Sequence, residues 1–109
     1  MHELGITQNI VAIVAEAAAG RKVLRVQIAI GKLSAVDADA IAFCFDICCM
    51  EAGLAGAKLE IQHIPGRLKC FHCSAEKDSP TLYGRCHCGS NDLRCISGQE
   101  LLVREIELE

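Results

Sequence analysis

The sequence predicts an α+β fold in which two helices cover a small three-stranded mixed sheet, with a zinc-ribbon-like subdomain inserted before the last strand. Two segments have the three- and four-residue hydrophobic spacing of amphipathic helices, and three others alternate as strands do. Four cysteines in two close pairs mark the insertion. The 109 residues suffice for one domain with an aliphatic core, because aromatic residues make up only 4%.

The chain begins with a predicted helix that is followed by a predicted strand. The helix covers residues 4–19 and stops at Gly20, and Arg21 and Lys22 follow where cations complement the carboxyl end of a helix. Residues 23–31 alternate between aliphatic and polar side chains and end at a glycine. This alternation predicts a half-buried strand.

A second helix and a second strand come next. Asp37 and Asp39 place negative charge at the start of a helix, and Gly53 ends it. The helix face that we expect to be buried consists of Ile41, Cys44, Phe45 and Cys48. Residues 58–63 alternate again, which predicts the second strand, and Pro65 breaks the pattern soon afterwards.

The last predicted strand is the tail at residues 101–108. Its side chains expected on one face are Leu102, Ile106 and Leu108. We therefore predict two parts: residues 1–66 together with 98–109 form an α/β domain, and residues 67–97 form a separate subdomain. A segment as short as this subdomain, with few apolar side chains, usually needs a metal to fold.

The two cysteine pairs are the strongest local signal in the sequence. Cys70 and Cys73 are separated by two residues, and Cys86 and Cys88 by one. Four soft thiolates favour a tetrahedral zinc site, although a rubredoxin-like iron site would use the same ligands. A redox dithiol and scattered free thiols are the remaining alternatives, and the presence of a second pair argues against both.

Two histidines and four further cysteines accompany the pairs. His72 and His87 lie beside the candidate ligands and are candidate secondary metal contacts, although histidines of this kind more often orient the ligands or face solvent. The other four cysteines are expected to behave as small hydrophobic side chains. They are Cys44, Cys48, Cys49 and Cys95.

The first three residues offer a different kind of metal site. The α-amine of Met1, the amide nitrogen of His2 and its imidazole Nδ1 close adjacent chelate rings around one ion. The amide of Glu3 completes a square plane, which suits Ni(II) or Cu(II) better than Zn(II). The alternative is that a histidine merely follows the initiator methionine.

Charge and hydropathy limit the other classes of function. A net charge of -3 argues against a nucleic-acid surface, and no apolar run is long enough to span a bilayer. We expect a cytoplasmic protein that binds neither nucleic acid nor membrane. The alternative function is a zinc-ribbon interaction module that binds nucleic acid or protein, because five basic residues make residues 67–97 mildly basic. They are Arg67, Lys69, Lys77, Arg85 and Arg94.

Several stretches together resemble the hydrogenase/urease nickel incorporation protein family, HypA/HybF. The resemblance covers essentially the whole chain, from Met1-His2-Glu3 to the closing residues 106–109. Between these ends it rests on residues 26–31, 33–34, 42–46, 57–61, 65–66, 88–90, 93 and 98–101.

The resemblance implies a metallochaperone and not an enzyme, so no catalytic residues are expected. It implies that Met1, His2 and Glu3 bind Ni2+ as cargo and that the four paired cysteines hold a structural Zn2+. The implied partners are the nickel-binding GTPase HypB and the large-subunit precursor of [NiFe]-hydrogenase, with urease served in some bacteria. Arg85 stands where the family has the first cysteine of its second pair, so Cys86 takes that role by a shift of one residue.

Overall fold

The computed structural model describes residues 2–109, within which the chain forms two helices and six strands. Their bounds are α1 Glu3–Ala18, β1 Val23–Gly31, α2 Ala38–Glu51, β2 Lys58–Ile64, β3 Arg67–Cys70, β4 Glu76–Asp78, β5 Leu93–Ser97 and β6 Leu101–Leu108. Over this range, neither helix has the length and apolar character needed to cross a bilayer.

The strands form two separate sheets of three strands each. In the first sheet the order is β2-β1-β6, with β1 parallel to β2 and antiparallel to β6. The predicted small mixed sheet is therefore confirmed. The second sheet has the order β4-β3-β5, is antiparallel throughout and carries the cysteine pairs.

Both helices begin and end close to their predicted positions. Ala19 and Gly20 have φ angles of 51° and 86°, and this left-handed turn ends α1. At the start of α2, the Asp37 carboxylate accepts the amides of Asp39 and Ala40 at 3.0 and 3.3 Å. Because these amides have no intrahelical acceptor, the aspartate fixes where α2 begins.

Arg21 and Lys22 follow the end of α1, and their side chains contact the end of β6. The last turn of α1 contains no basic residue, because the chain leaves the helix at Ala19 and turns into β1. Arg21 donates to the carbonyl oxygen of Glu109 at 2.9 Å, and the Lys22 ammonium lies 3.7 Å from the Glu109 carboxylate. The two cations thus connect the start of β1 to the end of β6.

The core lies between the two helices and one face of the first sheet. Its largest fully buried side chains include Phe45 and Ile41 of α2 and Ile28 of β1. The predicted buried face of α2 needs one correction, because Cys44 is half-buried and Cys49 is buried in addition to Cys48. Cys49 lies one helical turn after Phe45 and therefore extends the same buried stripe.

The face that β6 buries also differs from the prediction. Leu102 is exposed, whereas Val103, Ile106 and Leu108 pack against the core. The cause is an irregularity in the pairing with β1, which skips Arg104 between two register positions. An extra residue at such a bulge reverses the alternation, so a simple period of two predicts the wrong face before it.

A close contact of glycine backbones joins the two sheets. The Gly31 amide donates to the Glu100 carbonyl at 2.7 Å, and the Leu33 amide donates to the Gly98 carbonyl at 2.6 Å. A Cβ atom added to Gly98 would lie 2.6 Å from the Cα of Gly66, and Gly98 itself has a φ of 107°. Three chain segments meet here at distances that only glycine allows.

Candidate metal centre

The two cysteine pairs reach one point because the second sheet brings its loops together. Cys70 is the last residue of β3, and Cys73 lies in the turn between β3 and β4. Cys86 and Cys88 belong to the long connection that precedes β5, which pairs with β3 so that Leu93 lies opposite Cys70. Pairing of β3 with β5 therefore places the second cysteine pair beside the first.

The four sulfur atoms have the spacing of a tetrahedral metal site. The Sγ atoms of Cys70 and Cys88 are 3.7 Å apart, and those of Cys73 and Cys86 are 3.5 Å apart. All four Sγ atoms lie within 4.8 Å of one another. Sulfurs on a regular tetrahedron around zinc, each at about 2.3 Å from the metal, are separated by about 3.8 Å.

The turn after Cys70 directs backbone amides at its sulfur. The amides of His72 and Cys73 each donate to the Cys70 Sγ at 3.4 Å. The hydrogen bond from Cys73, followed by that from His72, lowers the pKa of the Cys70 thiol to about 6 against the opposing effect of burial. These two amides therefore favour the thiolate form of Cys70.

The second pair forms a tighter turn that is closed by a glycine. The Gly89 amide donates to the Cys86 carbonyl at 2.8 Å, and the Cys86 amide donates to the Ser90 carbonyl at 2.9 Å. Gly89 has a φ of 92°, which lets the chain reverse directly after Cys88. One intervening residue is thus enough to bring both sulfurs into the cluster.

The four thiols cannot all ionise without a nearby cation. The Ala75 amide lowers the pKa of Cys73, but the Cys86 thiol and burial outweigh it and raise that pKa to about 12. The pKa of Cys88 is also raised, because burial and the adjacent thiols outweigh the hydrogen bond from the Ser90 amide. A divalent ion at the centre would replace these protons.

The donor set fits a structural zinc ion. Within residues 2–109, the group able to hold a metal consists of Cys70, Cys73, Cys86 and Cys88. Four sulfurs leave no open coordination position for a substrate, which is typical of structural and not of catalytic zinc. Cys70 and Cys86 are buried while the other two cysteines are exposed, so the cluster lies at the surface of the subdomain.

His72 and His87 lie beside this group without belonging to it. The Nδ1 of His87 is 3.6 Å from the Cys86 Sγ, whereas His72 contacts the cluster through its backbone amide, which donates to the Cys70 Sγ. Both side chains are exposed. Their role as secondary metal contacts stays a prediction.

Acidic side chains pair with some of the basic residues of residues 67–97. Arg67 lies 2.6 Å from the Asp78 carboxylate and 3.7 Å from that of Glu76. Arg94 pairs with a neighbouring aspartate and places its guanidinium 4.1 Å from the centre of the Phe71 ring. These ion pairs thus neutralise part of the positive charge that a nucleic-acid-binding surface would need.

The predicted nickel ligands lie at the start of α1, where Met1 itself is outside the described residues. His2 is exposed, has a φ of 50° and accepts the amide of Ile6 at 3.1 Å through its carbonyl. His2 precedes the helix, so its amide nitrogen has no intrahelical acceptor, unlike the amides later in α1.

A contact that the sequence did not reveal connects this end of the chain to α2. The Glu3 carboxylate accepts the Asp37 amide at 3.0 Å. This hydrogen bond holds the amino end of α1 against the amino end of α2. Residues 32–37 connect that end of α2 to Gly31, where the glycine backbones meet. No local pattern predicts a bond over 34 residues, although Asp37 was recognisable as the start of a helix.

Comparison with known proteins gives one consistent family. A family model described as hydrogenase/urease nickel incorporation, metallochaperone, HypA, matches residues 1–108. The hydrogenase maturation factors HypA of Trichormus variabilis and of a Nostoc strain are 59% and 57% identical over 109 residues, covering all of this chain and 96% of each relative. The solution structure of the Ni metallochaperone HypA from Helicobacter pylori superimposes with a TM-score of 0.70 at 28% identity, covering 99% of this chain and 97% of the other.

Proposed function

The chain belongs to the HypA family of metallochaperones for hydrogenase and urease nickel incorporation, and on that premise we propose that it binds one Ni(II) ion at its N-terminus and delivers it for maturation of [NiFe]-hydrogenase. The ligands would be the amine of Met1, the amide and imidazole nitrogens of His2, and the amide of Glu3. Service to urease is the second possible delivery route within the same family.

The observation that carries the proposal is the position of His2. Its side chain is exposed and its backbone lies at the amino end of α1, where amide nitrogens have no intrahelical acceptor. Deprotonated amides together with an amine and an imidazole favour the square-planar geometry of Ni(II).

A second metal has a different role in the proposal. We infer that Cys70, Cys73, Cys86 and Cys88 hold zinc permanently and stabilise residues 67–97 as a subdomain, while residues 1–66 and 98–109 form the nickel-binding domain. Leu68 is the buried apolar side chain on β3, and the strands beside it are short. Such a small core needs the free energy of metal binding to stay folded.

The two sites suit retention and exchange respectively. Four thiolates in a closed tetrahedron leave no free position through which an acceptor could attack the metal. A square-planar site at an exposed chain end can be approached from both sides of the plane. The N-terminal site is therefore the one suited to the nickel cargo, and the cysteine cluster is suited to a zinc ion that stabilises the fold.

Partners follow from the family and not from the geometry. We propose that the chain works with the GTPase HypB and the large-subunit precursor of [NiFe]-hydrogenase. A delivery protein of this kind has no catalytic residues, since its work is to bind an ion and release it.

The test is a titration of the zinc-loaded protein with Ni(II). We expect one nickel per chain for the wild type, loss of this site in His2→Ala, and unchanged zinc content in both. His63→Ala is the matched control, because His63 is also exposed but lies in β2. One glycine added before Met1 should also abolish the site, because it displaces the amine. Equal nickel affinity in His2→Ala and His63→Ala would refute the assignment, and metal analysis of the same samples distinguishes zinc from iron.

A further inference from the structure

A stripe of large apolar side chains on α2 faces away from the core. Phe43, Ile47 and Met50 recur at steps of four and three residues and are 77%, 51% and 68% exposed. The opposite side of the same helix carries Phe45 and Ile41, which are buried. The other side of α2 covers the core, so this second stripe leaves three large apolar side chains largely in contact with water.

The segments that contain the two helices have acidic but no lysine or arginine side chains. All eleven lysines and arginines lie outside residues 1–20 and 33–57, the segments that contain both helices. Six carboxylates lie inside these segments: Glu3, Glu16, Asp37, Asp39, Asp46 and Glu51. Asp46 lies next to Ile47, and Glu51 next to Met50, so acidic groups border the stripe directly.

A shallow groove elsewhere on α2 adds a place for a long side chain. It has a volume of about 180 Å³ and lies between α1 and α2. Val11, Ala12 and Cys48 form its apolar part, and Glu51 lies at its wall. An apolar floor with a carboxylate at the wall suits the aliphatic stem and charged end of a lysine or arginine.

We propose that the stripe of Phe43, Ile47 and Met50, with its acidic border, is a docking surface for a partner protein whose own surface has an apolar centre edged by lysine and arginine. A second copy of this chain is a poor occupant, because it would bring the same carboxylates against each other. An anionic membrane is disfavoured for the same reason. The proposal does not depend on where nickel binds.

The test measures binding of two labelled helical peptides to the zinc-loaded protein by fluorescence anisotropy. One peptide is built from leucine and lysine, and the other has glutamate in place of lysine. We expect the lysine peptide to bind at least about tenfold more tightly, with an affinity that falls as salt is added.

Two double variants separate the apolar and the charged contributions. Phe43→Ser with Met50→Ser should weaken binding of the lysine peptide by about tenfold, as expected for exposed anchors of an interface. Asp46→Asn with Glu51→Gln should also weaken binding and reduce its salt dependence. Tyr83→Ser is the control, because Tyr83 is 84% exposed in the zinc subdomain and lies outside the surface.

Several outcomes would overturn the proposal. Unchanged binding by either double variant would do so, as would an equal loss in Tyr83→Ser. Sedimentation showing a wild-type dimer that dissociates in the Phe43→Ser, Met50→Ser variant would assign the stripe to a second copy instead. Zinc content and melting temperature report whether each variant is folded, and the charge variant keeps the test valid should the apolar variant not fold.

Discussion

Replacing Gly31 with alanine should destabilise the protein strongly, because a Cβ atom there has no room. It would fall on the carbonyl group of Gly98, and it would lie 2.6 Å from the backbone nitrogen of Gln99. These neighbours are backbone atoms, so no side chain can rotate away to relieve the overlap. The end of β1 and residues 98–100 would have to separate.

The separation removes interactions whose size can be worked out. It stretches the hydrogen bonds from Gly31 to Glu100 and from Leu33 to Gly98, which measure 2.7 and 2.6 Å. Overpacking costs about 1–3 kcal/mol and two lost hydrogen bonds cost about 1 kcal/mol each, so the loss is about 3–5 kcal/mol. At about 4 °C per kcal/mol, the melting temperature should fall by about 12–20 °C.

The assay is thermal unfolding of the zinc-loaded protein followed by circular dichroism. Gly84→Ala is the matched control, because a Cβ there would meet its nearest neighbours at 3.6 and 3.7 Å, which are ordinary contact distances. Gly5→Ala in α1 meets nothing within 4 Å and should preserve or raise stability. A Gly31→Ala melting temperature equal to that of Gly84→Ala would refute the close contact between the two sheets.

Two further predictions concern the cysteine cluster and the start of α2. In the metal-free protein at neutral pH, the pKa of Cys73 at about 12 and the raised pKa of Cys88 keep both thiols protonated. Zinc binding should therefore release at least two protons, and zinc affinity should fall as the pH falls, because protons compete for the sulfurs. Titration calorimetry in buffers of different ionisation enthalpy measures the number of protons released. Release of less than one proton would contradict the prediction. Asp37→Ala should cost about 1 kcal/mol, because it removes the acceptor for two amides of α2. Asp39→Ala is the control in the same first turn, and equal melting temperatures of the two variants would contradict the capping role.

The elements that were predicted well are those whose signals are local. Hydrophobic spacing located α1 and α2, and the pair Asp37 and Asp39 marked the region where α2 begins. Alternation located β1 and β2 for the same reason, since the side chains of a strand facing a core repeat every two residues. The cysteine spacing likewise predicted a cluster that the fold brings together.

The features that were not predicted either depend on residues far away in the chain or involve a segment too short to show a pattern. Whether Leu102 or Val103 faces the core depends on the bulge between β6 and β1, which no property of β6 alone determines. Strand β4 has the sequence Glu76-Lys77-Asp78, which contains no apolar side chain to alternate. The contact of Gly31 with Gly98 joins residues far apart in the chain, so neither glycine signals it by itself.

X-ray absorption at the nickel and zinc edges of one sample, loaded with one Ni(II) per chain, tests the central claim most directly. The proposal predicts nickel bound by nitrogen ligands without sulfur, and zinc bound by four sulfurs at about 2.3 Å. Nickel–sulfur scattering, or nickel that displaces zinc from the cysteines, would contradict the separation of a cargo site at the N-terminus from a structural site at Cys70, Cys73, Cys86 and Cys88.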